Sequence, residues 1–176
     1  MQLKEQILEL FFKNTEKEYY VREIARILKK APTTISKYLK ELEKEGLLIA
    51  ESKFNHLIFR SSKNNKFREI KAQYNLNFLN NSGFIDYLTK EFNEPNAIIL
   101  FGSFAKGEDI ETSDIDLFVQ SPLKKQIKLE EFEKKLKREI QIFIYNKEET
   151  NKLKRNNSEL FNNIINGKII YGNLEL

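Results

Sequence analysis

Two acidic residues and a glycine–serine pair carry the chemistry most directly readable in this chain. Asp114-Ile115-Asp116 leads into an apolar run, Leu117-Phe118-Val119, and Gly102-Ser103 follows another, Ala97-Ile98-Ile99-Leu100-Phe101. Ten residues, Phe104 to Ser113, separate Ser103 from Asp114. Side chains two apart on a strand share a face, so Asp114 and Asp116 present two carboxylates together. Such a pair attracts a hard cation such as Mg²⁺, which also takes phosphate oxygens as ligands. Gly102 lets the backbone approach a ligand closely, and the Ser103 hydroxyl can donate to a phosphate oxygen. A strand that runs through Gly-Ser into a short helix also presents backbone N–H groups to phosphate. The chain has no cysteine and one histidine, His56. Disulfides, thiolate-bound metals and His-rich metal sites are therefore excluded.

These residues need strands to hold them. The run 97–101 is continuously apolar, as expected of a strand buried on both faces. Residues 116–119 form a second such run, and Ile140, Ile142 and Ile144 alternate along a third strand, with Phe143 on its other face. Helices are expected over 67–79, 84–93, 127–137 and Ser158 to Ile165, followed by a β-prone Lys168-Ile169-Ile170-Tyr171. Asn80-Asn81-Ser82-Gly83 breaks the pattern between the first two helices. The reading is an α/β (α+β) domain: a small mixed sheet with flanking helices.

The stretch from Leu100 to Leu117 resembles the nucleotidyltransferase superfamily that includes DNA polymerase beta. It is most similar to the minimal nucleotidyltransferases paired with small toxins. The family pattern is an apolar strand, Gly-Ser, a short spacer and Asp-x-Asp in a second strand, and the close of the chain, Glu159 to Gly172, also resembles the end of such domains. The resemblance implies a nucleoside triphosphate as substrate or ligand, Mg²⁺ held by Asp114 and Asp116, and phosphate held by Gly102 and Ser103. Lys106 falls on the family's basic position before Gly107. The family also supplies a third carboxylate from the next strand, in an apolar-Asp-apolar context. In Glu139-Ile140-Gln141-Ile142-Phe143 the matching place is Gln141, a neutral amide. Glu139, two residues earlier on the same face, is the other candidate for the metal.

The first third of the chain has a different character. Residues 1–66 hold 14 Lys/Arg against 9 Glu, a net +5, which leaves −1 for the remainder of a chain whose total is +4. Excess positive charge confined to one segment suggests a polyanion partner for that segment. Leu3, Ile7, Leu10 and Phe11 mark an amphipathic helix over 2–13, Ile24, Ala25 and Leu28 a second over 22–30. Ala31-Pro32 makes a turn, with Pro32 placed to open a third helix that stops at Gly46. Leu47-Leu48-Ile49 and Leu57-Ile58-Phe59 flank a polar tip, Ser52 to His56, as a β-hairpin. His56 belongs on that surface.

Helix, helix, turn, helix, hairpin resembles the winged helix-turn-helix family, carried by Val21 to Leu28, Pro32 to Leu42 and Gly46-Leu47-Leu48. If Ile35, Leu39 and Leu42 face the core, then Thr33, Thr34, Ser36, Lys37 and Lys40 face outward, toward the major groove of double-stranded DNA and its phosphates. Lys53, His56 and Arg60 are the expected wing contacts.

The expected organisation is a winged helix-turn-helix over 1–62, a helical linker over 63–93 and a nucleotidyltransferase-like domain over 94–176. The N-terminus has no long apolar run and no segment approaches the length that spans a bilayer, so a cytoplasmic protein is expected. Two functions follow. One is a DNA-binding, Mg²⁺-dependent transferase moving a nucleoside monophosphate to a hydroxyl. The other is a transcriptional regulator whose catalytically silent second domain senses a nucleotide or binds a partner, including an antitoxin-like role against a toxin-like protein. A homodimer fits either, since winged-helix regulators often bind two half-sites.

Overall fold

The structure is a computed structural model that describes residues 2–53 and 56–176. Its contacts divide the chain into two compact units, 1–71 and 72–176. Each builds its own sheet.

In the first unit, helix α1 (Leu3–Lys13) is followed by β1 (Tyr19–Tyr20), α2 (Val21–Leu28), α3 (Pro32–Lys44), β2 (Leu48–Lys53) and β3 (His56–Ser61). The strands form an antiparallel sheet in the order β1-β3-β2, with Tyr19 opposite Phe59 and Ala50 opposite Phe59 on its other side. The hairpin is longer than the apolar triplets suggest. Its ladder runs from Leu48–Ser61 to Lys53–His56, because polar residues continue the pairing beyond the core. Phe54 and Asn55, within the expected polar tip, lie outside the described residues.

Helix α2 ends two residues earlier than its apolar spacing implies. Lys29 adopts a left-handed conformation (φ 53°), and the Lys30 N–H donates to the Ala25 carbonyl at 3.0 Å. That closes the last turn and redirects the chain into α3, with Pro32 at the first helical position. Ile35, Leu39 and Leu42 recur on the inner face of α3 and are fully buried with Ile7, Phe11 and Ile24. Burying side chains of this size contributes about 1.5–3 kcal/mol each. Gly46, at φ +74°, ends α3 as expected, and Leu47 N–H donates back to Leu42 O at 2.9 Å.

The division between the units falls within α4 (Asn65–Asn81). The segment 63–93 is therefore not a separate linker. Its later part, with Leu79, Phe84, Leu88 and Phe92, packs into the core of the second unit through the end of α4 and α5 (Phe84–Glu91).

The second unit continues with β4 (Ala97–Phe101), α6 (Gly102–Lys106), β5 (Ile115–Gln120), α7 (Glu130–Leu136), β6 (Ile140–Tyr145), α8 (Lys147–Asn156), α9 (Ser158–Ile165) and β7 (Lys168–Gly172). The sheet order is β6-β5-β4-β7. β4 runs antiparallel to both β5 and β7, while β5 and β6 are parallel. The sheet is thus mixed, and both faces are covered. Ile98, Leu100, Ile115, Leu117 and Val119 pack with Leu88, Phe92 and Leu136 on one side. Ala97, Ile99, Phe101 and Phe118 pack with Leu153, Phe161 and Ile164 on the other. Continuous apolar runs in β4 and β5 follow from this two-sided burial. No helix among the described residues is long and apolar enough to cross a membrane.

Candidate functional site

The buried strand β4 delivers the chain to Gly102 at the edge of its core. Gly102 has φ +73°, a left-handed backbone that disfavours any side chain. A Cβ there would also collide with the carboxylate of Asp116. Gly102 therefore does more than free the backbone for a ligand: it lets the β4–α6 corner close against an acidic side chain. Ser103 is half-buried beside it, and Lys106 is exposed at the end of α6. α6 has only five residues, so its dipole is small. The backbone N–H groups and the Ser103 hydroxyl are what this corner offers to phosphate.

Asp116 pairs with Phe101 across the antiparallel β4–β5 ladder and with Gln141 across the parallel β5–β6 ladder. Asp114 stands two residues earlier and is exposed, whereas Asp116 is half-buried. Asp114 stands just ahead of β5, near enough for its charge to act on Asp116. Burial, and then the neighbouring Asp114 charge, hold the Asp116 carboxyl above the ordinary aspartate range. A cation placed between them would relieve that repulsion. Two carboxylates are also enough for Mg²⁺, which keeps waters and takes substrate phosphates for its remaining positions. The donor set therefore fits the cation expected from the sequence.

The third expected ligand does not join them. Glu139 is exposed and precedes β6, where its carbonyl accepts from the Ile115 N–H at 2.9 Å. Among the described residues no group of three or more His, Cys, Asp or Glu side chains is placed to hold a metal ion. Glu139 thus does not complete a triad. Gln141, in direct register with Asp116, occupies the neighbouring strand position instead.

One contributor went unseen in the sequence. Asp109, fully buried, receives Arg138 Nη2 at 2.8 Å. Arg138 Nη1 donates to the carbonyls of Ile110 (2.6 Å) and Ser113 (2.8 Å). Its guanidinium also lies 5.3 Å from the centre of the Phe104 ring. Asn75 Nδ2 joins this network by donating to Asp109 Oδ1 (2.7 Å) and to the Phe104 carbonyl (2.9 Å). The loop between α6 and β5 is therefore clamped at three points just before Asp114. The ten-residue spacer reads from the sequence as plain length; its fixed shape comes from residues far along the chain.

In the first unit, Thr33, Thr34, Lys37 and Lys40 are exposed on α3 and Ser36 is half-buried, opposite the fully buried Ile35, Leu39 and Leu42. The outward face of α3 is thus the one its helical spacing implies. The wing cations differ. Lys53 pairs with Glu18 at 2.5 Å, a contact that raises its pKa, and Arg60 pairs with Glu51 through Nη2 at 2.6 Å and Nε at 2.7 Å. Both cations of the wing are thus ion-paired with carboxylates. His56 is exposed, with the Tyr20 ring edge-on to it at 6.1 Å.

A three-helix unit with a three-stranded winged sheet, followed by a mixed sheet carrying Gly-Ser and Asp-x-Asp, defines a helix-turn-helix protein with a nucleotidyltransferase-fold domain. Residues 84–175 match the family model described as Polymerase beta, Nucleotidyltransferase, and residues 3–50 match that described as Bacterial regulatory protein, arsR family. The first match covers more than half of the chain, and the chain belongs to that nucleotidyltransferase family. No curated protein matches it.

Proposed function

We propose that this protein binds double-stranded DNA through α3 and binds a nucleoside triphosphate with Mg²⁺ in its second domain, transferring the nucleoside monophosphate to a hydroxyl group. The observation that carries the reading is the packing of Gly102 against Asp116, with Asp114 near enough for its charge to act on the Asp116 carboxyl. It sets a close-approach backbone beside two carboxylates. In the transfer, an acceptor hydroxyl oxygen bonds to the α-phosphorus, the bond from that phosphorus to the bridging oxygen breaks, and pyrophosphate leaves; the hydroxyl proton passes to water. Asp114 and Asp116 hold the cation, which supplies charge neutralisation for the phosphates. Ser103 and the backbone around Gly102 orient phosphate oxygens, and Lys106 adds positive charge nearby.

The test is incubation of the full chain with labelled nucleoside triphosphates, Mg²⁺ and candidate protein and small-molecule acceptors, beside an Asp114→Ala/Asp116→Ala control. Label incorporated by the wild type and absent from the control supports transfer.

One observation favours a second reading. Gln141, in register beside Asp116, is neutral and cannot act as a base. A domain that binds nucleotide without turning it over would then regulate the DNA-binding unit. Nucleotide-dependent DNA affinity without any incorporation favours this sensor over the transferase.

A further inference from the structure

The face of the second sheet that carries Asp116 is aromatic as well as acidic. Side chains alternate along β5, so Asp116 and Phe118 stand on one face, opposite Ile115, Leu117 and Val119. The register sets rows across that face: Phe101, Asp116 and Gln141 in one, Ile99, Phe118 and Phe143 in the next. β4 and β6 flank β5, so their backbones lie two strand spacings apart, about 10 Å. The ring centres of Phe101 and Phe143 are only 5.7 Å apart. The two rings therefore lean toward each other over β5, where Asp116 and the fully buried Phe118 stand.

The three rings are not covered alike. Phe101 and Phe118 are buried under Leu153, Phe161 and Ile164, whereas Phe143 is only partly buried. Gln141, ahead of it on the same face, is exposed, and β6 is an edge strand of the sheet. Part of one aromatic ring is thus left open between the Asp116 carboxylate and the sheet edge. The Gly102-Ser103 corner at the end of β4, Asp116 on β5 and Phe143 on β6 follow one another across the sheet. A triphosphate whose terminal phosphates lie at that corner, and whose α-phosphate meets the cation at Asp116, directs its nucleoside toward β6. Every base has a π face, and such faces stack on aromatic side chains.

We propose that Phe143 is the platform on which the nucleobase stacks, so that the second domain selects nucleoside triphosphates over bare polyphosphate. The inference rests on the nucleotide-binding reading above and assigns its base subsite.

Affinities of the full chain for each ribonucleoside triphosphate and for tripolyphosphate are measured by calorimetry with Mg²⁺ and without acceptor. Phe143→Leu is expected to weaken the best-bound nucleoside triphosphate roughly tenfold and to leave tripolyphosphate unchanged. Phe143→Tyr keeps a π face and should keep the affinity. Parallel losses for nucleotide and tripolyphosphate, or equal losses in the leucine and tyrosine variants, mark a packing role and overturn the platform. An unchanged nucleotide affinity in Phe143→Leu overturns it too, and slower incorporation in that variant would then assign the ring to the acceptor. A wild type that binds tripolyphosphate as tightly as every nucleoside triphosphate has no base subsite. If the wild type binds neither, the nucleotide reading itself fails, and the platform with it.

Discussion

Gly102 and Asp116 are packed so closely that a Cβ on the glycine would lie 2.1 Å from Asp116 Oδ2. Real Cβ atoms do not approach an oxygen so closely, and the backbone there is left-handed as well. Gly102→Ala therefore has to move either the β4–α6 corner or the carboxylate. The backbone alone costs about 1–2 kcal/mol. The expected outcome is a lowered melting temperature and at least a tenfold loss of Mg²⁺–nucleotide affinity by calorimetry. Ser103→Ala, which leaves the corner intact, should lose affinity without the drop in melting temperature.

The crowding of Asp114 and Asp116 predicts how pH and Mg²⁺ act on stability. Asp116 has a folded-state pKa above its unfolded value, through burial and then its neighbour's charge. Protonation therefore favours the folded state. In metal-free protein this contribution is fully present below the ordinary aspartate pKa and is lost as pH rises through the raised value. Asp116→Asn should remove that dependence and melt no lower than the wild type at neutral pH. Added Mg²⁺ should raise the melting temperature of the wild type at neutral pH and leave Asp114→Ala/Asp116→Ala unmoved. An equal Mg²⁺ response in that double variant would remove the assigned ligands.

Much of this arrangement was legible before the fold was known, because it rests on local signals. The apolar runs of β4 and β5 mark strands, and Gly-Ser and Asp-x-Asp stand at fixed places beside them. α3 was legible for the same reason, since Ile35, Leu39 and Leu42 repeat at helical spacing around Pro32 and Gly46. α8 was not. In its ten residues only Thr150 and Leu153 are buried, and a capping box between Asn146 and Glu149 starts the helix rather than an apolar stripe. The partnership of Arg138 with Asp109 was hidden too. Nothing in Glu108-Asp109-Ile110-Glu111 marks the second residue as the one that folds inward. The ion pair on the wing was hidden as well, because the fate of Arg60 depends on cross-strand placement, which sets Glu51 on β2 within its reach.

Gln141 stands beside Asp116 in the parallel ladder, at the place where the family resemblance implies a carboxylate. Gln141→Asp should therefore add the missing base. General-base groups contribute typically 10²–10⁴-fold, so a rise in nucleotide incorporation of roughly tenfold or more is expected, with the greater part in kcat. Glu139→Ala should change nothing, as that side chain is exposed ahead of β6. The opposite pattern, loss with Glu139→Ala and no gain with Gln141→Asp, would move the third carboxylate to Glu139.

Arg138 holds a carboxylate that has no access to water. Arg138→Ala leaves Asp109 buried without that counter-charge and frees the carbonyls of Ile110 and Ser113. Removing one partner of such a pair costs about 3–5 kcal/mol. A large fall in chemical-denaturation midpoint is expected. Asp109→Asn/Arg138→Met, which removes both charges, should recover much of the stability but not nucleotide affinity, because the loop that ends at Asp114 loses its guanidinium clamp. Full recovery of both would show that the clamp serves the fold alone.

On α3, the hydroxyl and lysine side chains should separate in their effects. Lys37 and Lys40 are exposed beyond the first turn of the helix, whereas Thr33 and Thr34 lie within it. Residues at the start of a recognition helix reach base edges, while lysines farther along reach phosphates. Lys37→Ala/Lys40→Ala should weaken binding to all duplexes and lower the salt slope by about 2. Thr33→Ala/Thr34→Ala should leave the slope alone and alter the ranking of duplexes selected from a random pool. A selected sequence preference that survives the threonine changes intact would place base recognition elsewhere on the unit.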